Sequence, residues 1–290
     1  MDLIFSLTLN GLATGMLFFL LAAGLTLIFG LMDVLNFAHG GLFAWGAFTG
    51  VWIYGLSGNF FVGILGAIVA GLVLGAITEY LIIKPVYGNH IQQILITLGF
   101  MLVLTEMLKV VYGPNQRAAQ PPEYLDGSFT IGDVTIIKYR LFIILMGIII
   151  FALTSYVLKK TKIGLIVRAG VMNKEMVQAL GINIRLIFLA VFMVGSAMAA
   201  LGGFLFAPYS GVIYAEIGLD YGIFAFIVVV IGGMGSLSGS LMAALLVGLA
   251  QAYMQYYVPS LALAVNMLLM AAVLLFRPQG LFSVKGVSTK

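Results

Sequence analysis

Long apolar blocks follow one another along this chain, separated by prolines, charges and short polar turns. They run roughly Leu3–Met32, Phe37–Leu56, Phe60–Ile83, Ile91–Tyr112, Leu141–Leu158, Leu186–Ala207, Tyr221–Gly233, Leu237–Val258 and Leu261–Phe276. Lipid offers the backbone no hydrogen-bond partner, so a spanning segment must satisfy its own amides and carbonyls, as a helix does. Membrane barrels instead show alternating segments of about ten residues, and these blocks are longer and apolar on all sides. A soluble domain carries about 25% charged residues. Here 8% of 290 residues are charged and 62% are hydrophobic, so much of the exterior must face lipid. At about 20 apolar residues per crossing, the expectation is an all-α, polytopic transmembrane bundle of about eight to nine spans, one domain over residues 1–290. Tyr221–Gly233 is short enough to be half of a broken helix. All seven prolines fall at block edges or in loops, where residues that cannot continue a helix belong.

Charge sets the expected orientation. Lys159, Lys160, Lys162, Arg168, Lys174 and Arg185 crowd one loop, about residues 159–186, against a single acid, Glu175. Cytoplasmic loops carry the excess of Lys and Arg, so this loop is placed inside, as is the tail with Arg277, Lys285 and Lys290. Glu216 and Asp220, without a base, place Pro208–Asp220 outside. The charge-balanced Gly113–Arg140 segment follows by its order, and Asp2 puts the N-terminus outside. A secretory signal needs a basic n-region, and no basic residue precedes Lys84; the first block is expected to be a retained span.

Several chemistries are excluded. The chain has no cysteine, and its two histidines, His39 and His90, stand far apart without zinc-ligand spacing. It contains no Gly-Lys dipeptide, hence no phosphate-binding loop for ATP, and no nucleophile–base signature. No metal, no cofactor on this chain, no catalytic residue and no nucleic-acid partner is expected.

The 36 glycines include the pairs Gly11/Gly15, Gly46/Gly50, Gly71/Gly75 and Gly235/Gly239, a spacing that lets helix backbones approach closely in lipid. Gly30–Ala47 and Gly232–Gly248 break apolar sequence with small and polar residues in a similar style. Interrupted segments at matching places in two halves point to a transporter's central site; low-complexity likeness is the other reading. Asn36, His39, Gly40, Gly232, Gly233 and Gly235 are the candidates for a substrate path. The plainer reading of Asn36–His39 is a tight turn in which Asn36 caps the next helix.

Asp33, Glu79, Glu106 and Lys109 lie in or near apolar blocks, where a mid-bilayer charge costs about 2.5–3.5 kcal/mol. Glu79 beside Pro85 and Lys109 beside Pro114 are expected to reach the interface, and Glu106 and Lys109 to pair. The amides Asn10, Gln251, Gln255 and Asn266 read as glue between helices, with lining a path as the other reading. In the basic loop, Lys174–Leu180 fits about two turns of amphipathic helix. Met176, Ala179 and Leu180 share one face, Lys174 and Gln178 another, and Gly181 is placed to stop it. Such a helix suits docking onto a soluble partner; a solvated loop is the plainer alternative.

Four stretches, in order over about residues 5–283, carry a resemblance. They are Asn36-Phe37-Ala38-His39-Gly40, then Thr161-Lys162-Ile163-Gly164 with Arg168-Ala169 and Ala179-x-Gly181-Ile182-Asn183. Gly232-Gly233-Met234-Gly235-Ser236-Leu237 and Arg277-Pro278-Gln279-Gly280-Leu281-Phe282 complete the set. The chain resembles the permease subunits of branched-chain amino-acid ABC importers, a family that includes urea and amide importers. The loop is similar to the coupling motif of ABC permeases, with Glu175 at its acid and Gly181 at its glycine. Met176 and Val177 replace its two alanines, and its later Leu-Pro is missing. The resemblance implies a bacterial inner-membrane subunit working with a sister permease, two cytoplasmic ATP-binding subunits and an extracytoplasmic substrate-binding protein. It implies coupling to the ATPases through Lys174, Glu175, Met176, Ala179, Leu180 and Gly181, and leucine, isoleucine or valine as cargo. Urea or a short amide is the nearest alternative. A passive channel or ion-coupled transporter comes next, and a membrane enzyme is the most distant.

Overall fold

The computed structural model describes residues 2–131 and 134–282, less the side chains of a few residues, Lys174 among them. Among these are eleven α-helices: α1 (Asp2–Met32), α2 (His39–Ser57), α3 (Phe60–Ile77), α4 (His90–Tyr112), α5 (Lys138–Lys160), α6 (Lys162–Met172), α7 (Lys174–Ala179), α8 (Ile184–Ser210), α9 (Ile217–Gly232), α10 (Leu237–Tyr257) and α11 (Ala262–Phe276). Six stretches, in α1, α3, α4, α5, α8 and α10, are long and apolar enough to cross a membrane, and α9 and α11 are shorter apolar helices. The chain is a helical membrane bundle. Lys285 and Lys290, counted above toward a basic tail, lie outside the described residues.

The all-α expectation misses four short strands: β1 (Arg117–Ala118), β2 (Ser128–Ile131), β3 (Val134–Ile137) and β4 (Val212–Ile213). β2 and β3 form an antiparallel hairpin. β1 pairs with β4, Arg117 opposite Ile213, which joins the Gly113–Arg140 segment to the Pro208–Asp220 segment. All four lie between the long helices, where short strands can satisfy their backbone by pairing.

Polar side chains start several helices. Asn59, Asn89, Asn183 and Ser236 accept hydrogen bonds from first-turn amides of α3, α4, α8 and α10, which satisfies donors the helix itself leaves open. Asn36 does not cap α2, contrary to the turn reading. The residue before α2 is Ala38, with no side-chain cap, and the Asn36 amide oxygen accepts from the Ala38 amide at 3.1 Å. Two other expectations fail locally. α8 continues through Pro208 to Ser210. α3 runs on into a widened π turn at Thr78–Ile83, which carries Glu79 inward. Glu79 is 4% exposed and accepts a hydrogen bond from the Tyr87 hydroxyl at 2.5 Å, so it does not reach out to the interface.

α1 is the centre of the bundle. Its most apolar window is 83% buried within the chain, against 11% for α5. Helices in lipid gain little from burying apolar surface against one another, so close contact and interhelical hydrogen bonds must hold them. α1 meets α8 where Gly24 faces Gly195, so closely that a Cβ on Gly24 would fall on the Gly195 carbonyl. The small-residue pairs named above sit at such crossings. Gly11 and Gly15 abut α10, Gly46, Gly50, Gly71 and Gly75 abut α8, Gly235 faces Gly30, and Gly239 faces Gly232. The amides also bridge helices: the Tyr209 hydroxyl donates to Asn10 at 2.8 Å, and Asn266 donates to Gln251 at 3.0 Å.

Gly24→Ala is therefore expected to destabilise the fold by about 1–3 kcal/mol, the usual cost of overpacking. Gly55→Ala, which meets open space, should leave Tm unchanged or slightly raised. Thermal unfolding of the detergent-purified variants checks this, and an equal Tm for both would remove the α1–α8 contact from its central place.

Candidate translocation and coupling sites

The chain between α1 and α2 is not helical at residues 33–38, and α2 restarts deep in the bundle. His39, its first residue, places Nε2 2.9 Å from the Leu21 carbonyl oxygen in the middle of α1. With Nε2–H donating to that carbonyl, Nδ1 is an acceptor, and it is buried with no partner among the described residues, as is Asn36 Nδ2. Both residues are 0% exposed. The Phe37 amide donates to Thr97 Oγ1 at 3.1 Å, and the Phe37 ring stacks on Phe226 at 4.3 Å. Gly40 presses against the Gly218 carbonyl at the start of α9. The break is thus a sealed polar knot in this conformation. A buried polar atom without a partner costs about 1–3 kcal/mol, so the sealed state is not a comfortable one.

Gly232, Gly233 and Gly235 lie elsewhere. They form the turn from α9 to α10, where Gly235 faces Gly30 near the end of α1, roughly 13 Å along that helix from Leu21 at 1.5 Å per residue. The six path candidates therefore divide into a mid-bundle group and a group at the end of α9. The second group has a partner that spacing alone did not reveal. The Leu281 amide donates to the Ile231 carbonyl at 2.9 Å and the Phe282 amide to the Gly232 carbonyl at 3.2 Å. Gly280, at φ +81°, lies so close to Gly233 that a Cβ would stand 2.5 Å from its Cα. The segment after α11 thus satisfies carbonyls that end α9.

At the other end of the bundle, Lys109 forms the expected pair with Glu106 at 2.8 Å and also reaches Glu216 at 2.8 Å. The hydrogen bond from Lys109 holds the Glu216 carboxyl below its ordinary pKa. This bridge ties α4 to the residue preceding α9, two positions before Gly218.

The basic loop is two short helices, α6 and α7, joined at Asn173, whose side chain accepts from the Met176 amide at 2.9 Å. α7 ends in a Schellman motif: the Gly181 amide donates to Gln178 O at 2.9 Å and the Ile182 amide to Val177 O at 3.3 Å. Gly181 stands at φ +79°, the left-handed conformation glycine adopts at least cost. Val177, 2% exposed, is the inward anchor, packing in a cluster with Ile184 and Phe188. Met176, Ala179 and Leu180 face out together, as does Glu175; Met176 is 59% and Leu180 72% exposed. The Lys174 side chain lies outside the described residues. The amphipathic pattern alone did not show that Val177, not the Met176 face, holds the helix to the body.

A bundle of this kind, with six stretches long and apolar enough to cross a membrane, is that of a multi-pass membrane protein. Residues 7–277 match the family described as branched-chain amino acid transport system, permease component, and the chain belongs to that family. It is 29% identical to the high-affinity branched-chain amino acid transport system permease protein BraD of Pseudomonas aeruginosa, over 94% of this chain and 93% of that protein. The corresponding LivH protein of Escherichia coli K12 is 27% identical, over 94% and 93%. A solved structure of PsaBC from Streptococcus pneumoniae in complex with Fab superposes with a TM-score of 0.50 at 14% identity, covering 92% of this chain and 89% of that chain. That likeness shows the shared fold alone.

Proposed function

We propose that the chain is the transmembrane permease subunit of an ABC importer that carries branched-chain amino acids across the bacterial cytoplasmic membrane. Membership of the permease family over residues 7–277 is the observation that carries this reading. Its partners are a sister permease, two cytoplasmic ATP-binding subunits and an extracytoplasmic binding protein that delivers the amino acid. The whole chain is one transmembrane domain, with α2, α9 and α11 joining the six longer helices as membrane elements. The N-terminus lies outside and the loop of α6 and α7 inside. α7 is the coupling element: a chain without a nucleotide loop must receive ATP energy through something that packs on a partner. Its outward Met176, Ala179 and Leu180, held by Val177 and stopped by Gly181, support that role. Asn36, His39 and Gly40 belong to the path, exposed when α2 and α9 part at Gly40 and Gly218. Gly232, Gly233 and Gly235 form its inner end.

Cells expressing the complete transporter should take up labelled leucine and not labelled urea, and uptake should vanish when this gene is deleted. Urea uptake in place of leucine uptake would reassign the cargo.

Gly181→Val and Glu175→Lys should each lower substrate-stimulated ATP hydrolysis in the reconstituted complex by about fivefold or more, a modest coupling energy, while membrane insertion stays normal. Full stimulation in both variants would remove α7 from coupling. His39→Leu should reduce transport at normal abundance and assembly, and unchanged transport would reject a path role for the break. For orientation, a cysteine at Lys160 should be labelled only from the cytoplasm and one at Asp220 only from outside. The opposite pattern would invert the topology.

A further inference from the structure

Beside α7, a cleft of about 370 Å³ opens between three distant parts of the chain: the end of α1, the turn before α4 and the start of α8. Met32, Ile184 and Phe188 contribute buried apolar surface to it, Asp33 and Arg185 carry its charge, and His90 lines it beside Asp33. Its volume falls within the range of small-molecule clefts, roughly 300–1,000 Å³.

Two local rules are broken at its rim. Asp33 follows the last residue of α1, its amide donating to Phe29 O at 2.9 Å, and it adopts φ +56°. It is the one residue other than glycine with positive φ among the described residues. A carboxylate there also stands at the negative end of the α1 dipole, where a cation would be favoured. Across the cleft, Arg185 is the second residue of α8, a cation at the positive end of a dipole that favours anions. Local choices that contradict their own helices, gathered at one cleft, point to a purpose outside the helices. His90 Nε2 lies 3.5 Å from Asp33 Oδ2, and both side chains remain more than half exposed.

We infer that this cleft binds a free α-amino acid with an apolar side chain. The ligand's ammonium sits on Asp33, where the end of α1 adds its negative pole. Its carboxylate sits on Arg185, where the start of α8 adds its positive pole, and its side chain lies against Met32, Ile184 and Phe188. One zwitterion thereby resolves both mismatches. Given the proposed function, the cleft lies on the cytoplasmic side and samples the imported product. An occupant would tie the start of α8, and through it α7, to α1, so a filled cytoplasmic pool would slow further import.

The test uses the reconstituted permease–ATPase complex without its binding protein, with labelled leucine as the probe in equilibrium dialysis. Saturable binding is expected, weakened about tenfold, a coupling-scale effect, in Asp33→Asn and in Arg185→Gln. Arg185→Lys should restore part of it. Asp33→Asn preserves side-chain size, asparagine tolerates positive φ, and Arg185 is exposed, so folded complexes are expected and gel filtration checks them. In proteoliposomes supplied with the binding protein, leucine inside should slow uptake of external leucine, and neither main variant should show this slowing. No saturable binding, or binding and slowing unchanged in both variants, would overturn the inference. Failure of the wild type to take up external leucine into empty vesicles would overturn the proposed function instead, while the dialysis result still decides whether the cleft binds an amino acid.

Discussion

Helices in lipid cannot be driven together by water, so what holds this bundle is how closely backbones can approach. α1 stands at the centre because its small residues allow contact on several sides, with α8 at Gly24, α10 at Gly11 and Gly15, and the α9–α10 turn at Gly30. Each contact fixes the depth of one neighbour against another, and the polar pairs then fall into register. The Thr26 hydroxyl meets Ser240 at 2.6 Å only because α10 is seated so near. Remove the close approach and the hydrogen bonds that give the bundle its specificity lose their geometry as well.

Buried polar atoms without a partner gather around the α1–α2 break, with Ser196 Oγ and Asn266 Oδ1 the two elsewhere among the described residues. Elsewhere inside the bundle Asn10, Glu79 and Gln251 have partners from other elements. Around the break, Asn36 Nδ2, His39 Nδ1 and Gln93 Oε1 are buried and unpaired among the described residues. Gln93 belongs to the same neighbourhood, since its carbonyl accepts from Thr97 Oγ1, the atom that also accepts from Phe37. α2 and α9 meet here through the tight Gly40–Gly218 contact, with the Lys109–Glu216 bridge from α4 beside it.

Much of this was legible because its causes are local. Apolar length and proline position marked the apolar helices to within a few residues, though not α6 in the basic loop, glycine spacing marked the crossings, and Gly181 marked the end of α7. What escaped depended on depth and direction. Asn36 resembles a helix cap in sequence, but the helix starts two residues later than a cap there would require. Glu79 looked able to reach the interface because nothing near it in sequence signals a π turn that swings it inward. Val177 and Met176 are adjacent apolar residues, and only the docking of α7 on Ile184 and Phe188 decides which one is buried. β1 and β4 are two-residue strands whose partners lie far along the chain, out of reach of local sequence.

The bonds from Leu281 and Phe282 back to the end of α9 bear on how the molecule is made. A ribosome delivers α9 and α10 well before residues 280–282, so during synthesis the carbonyls of Ile231 and Gly232 stand without their final donors. The turn that faces Gly30 is therefore completed only after α11 has been made. A chain interrupted between residues 276 and 280 would carry every long helix described here and still lack the donors that finish that corner.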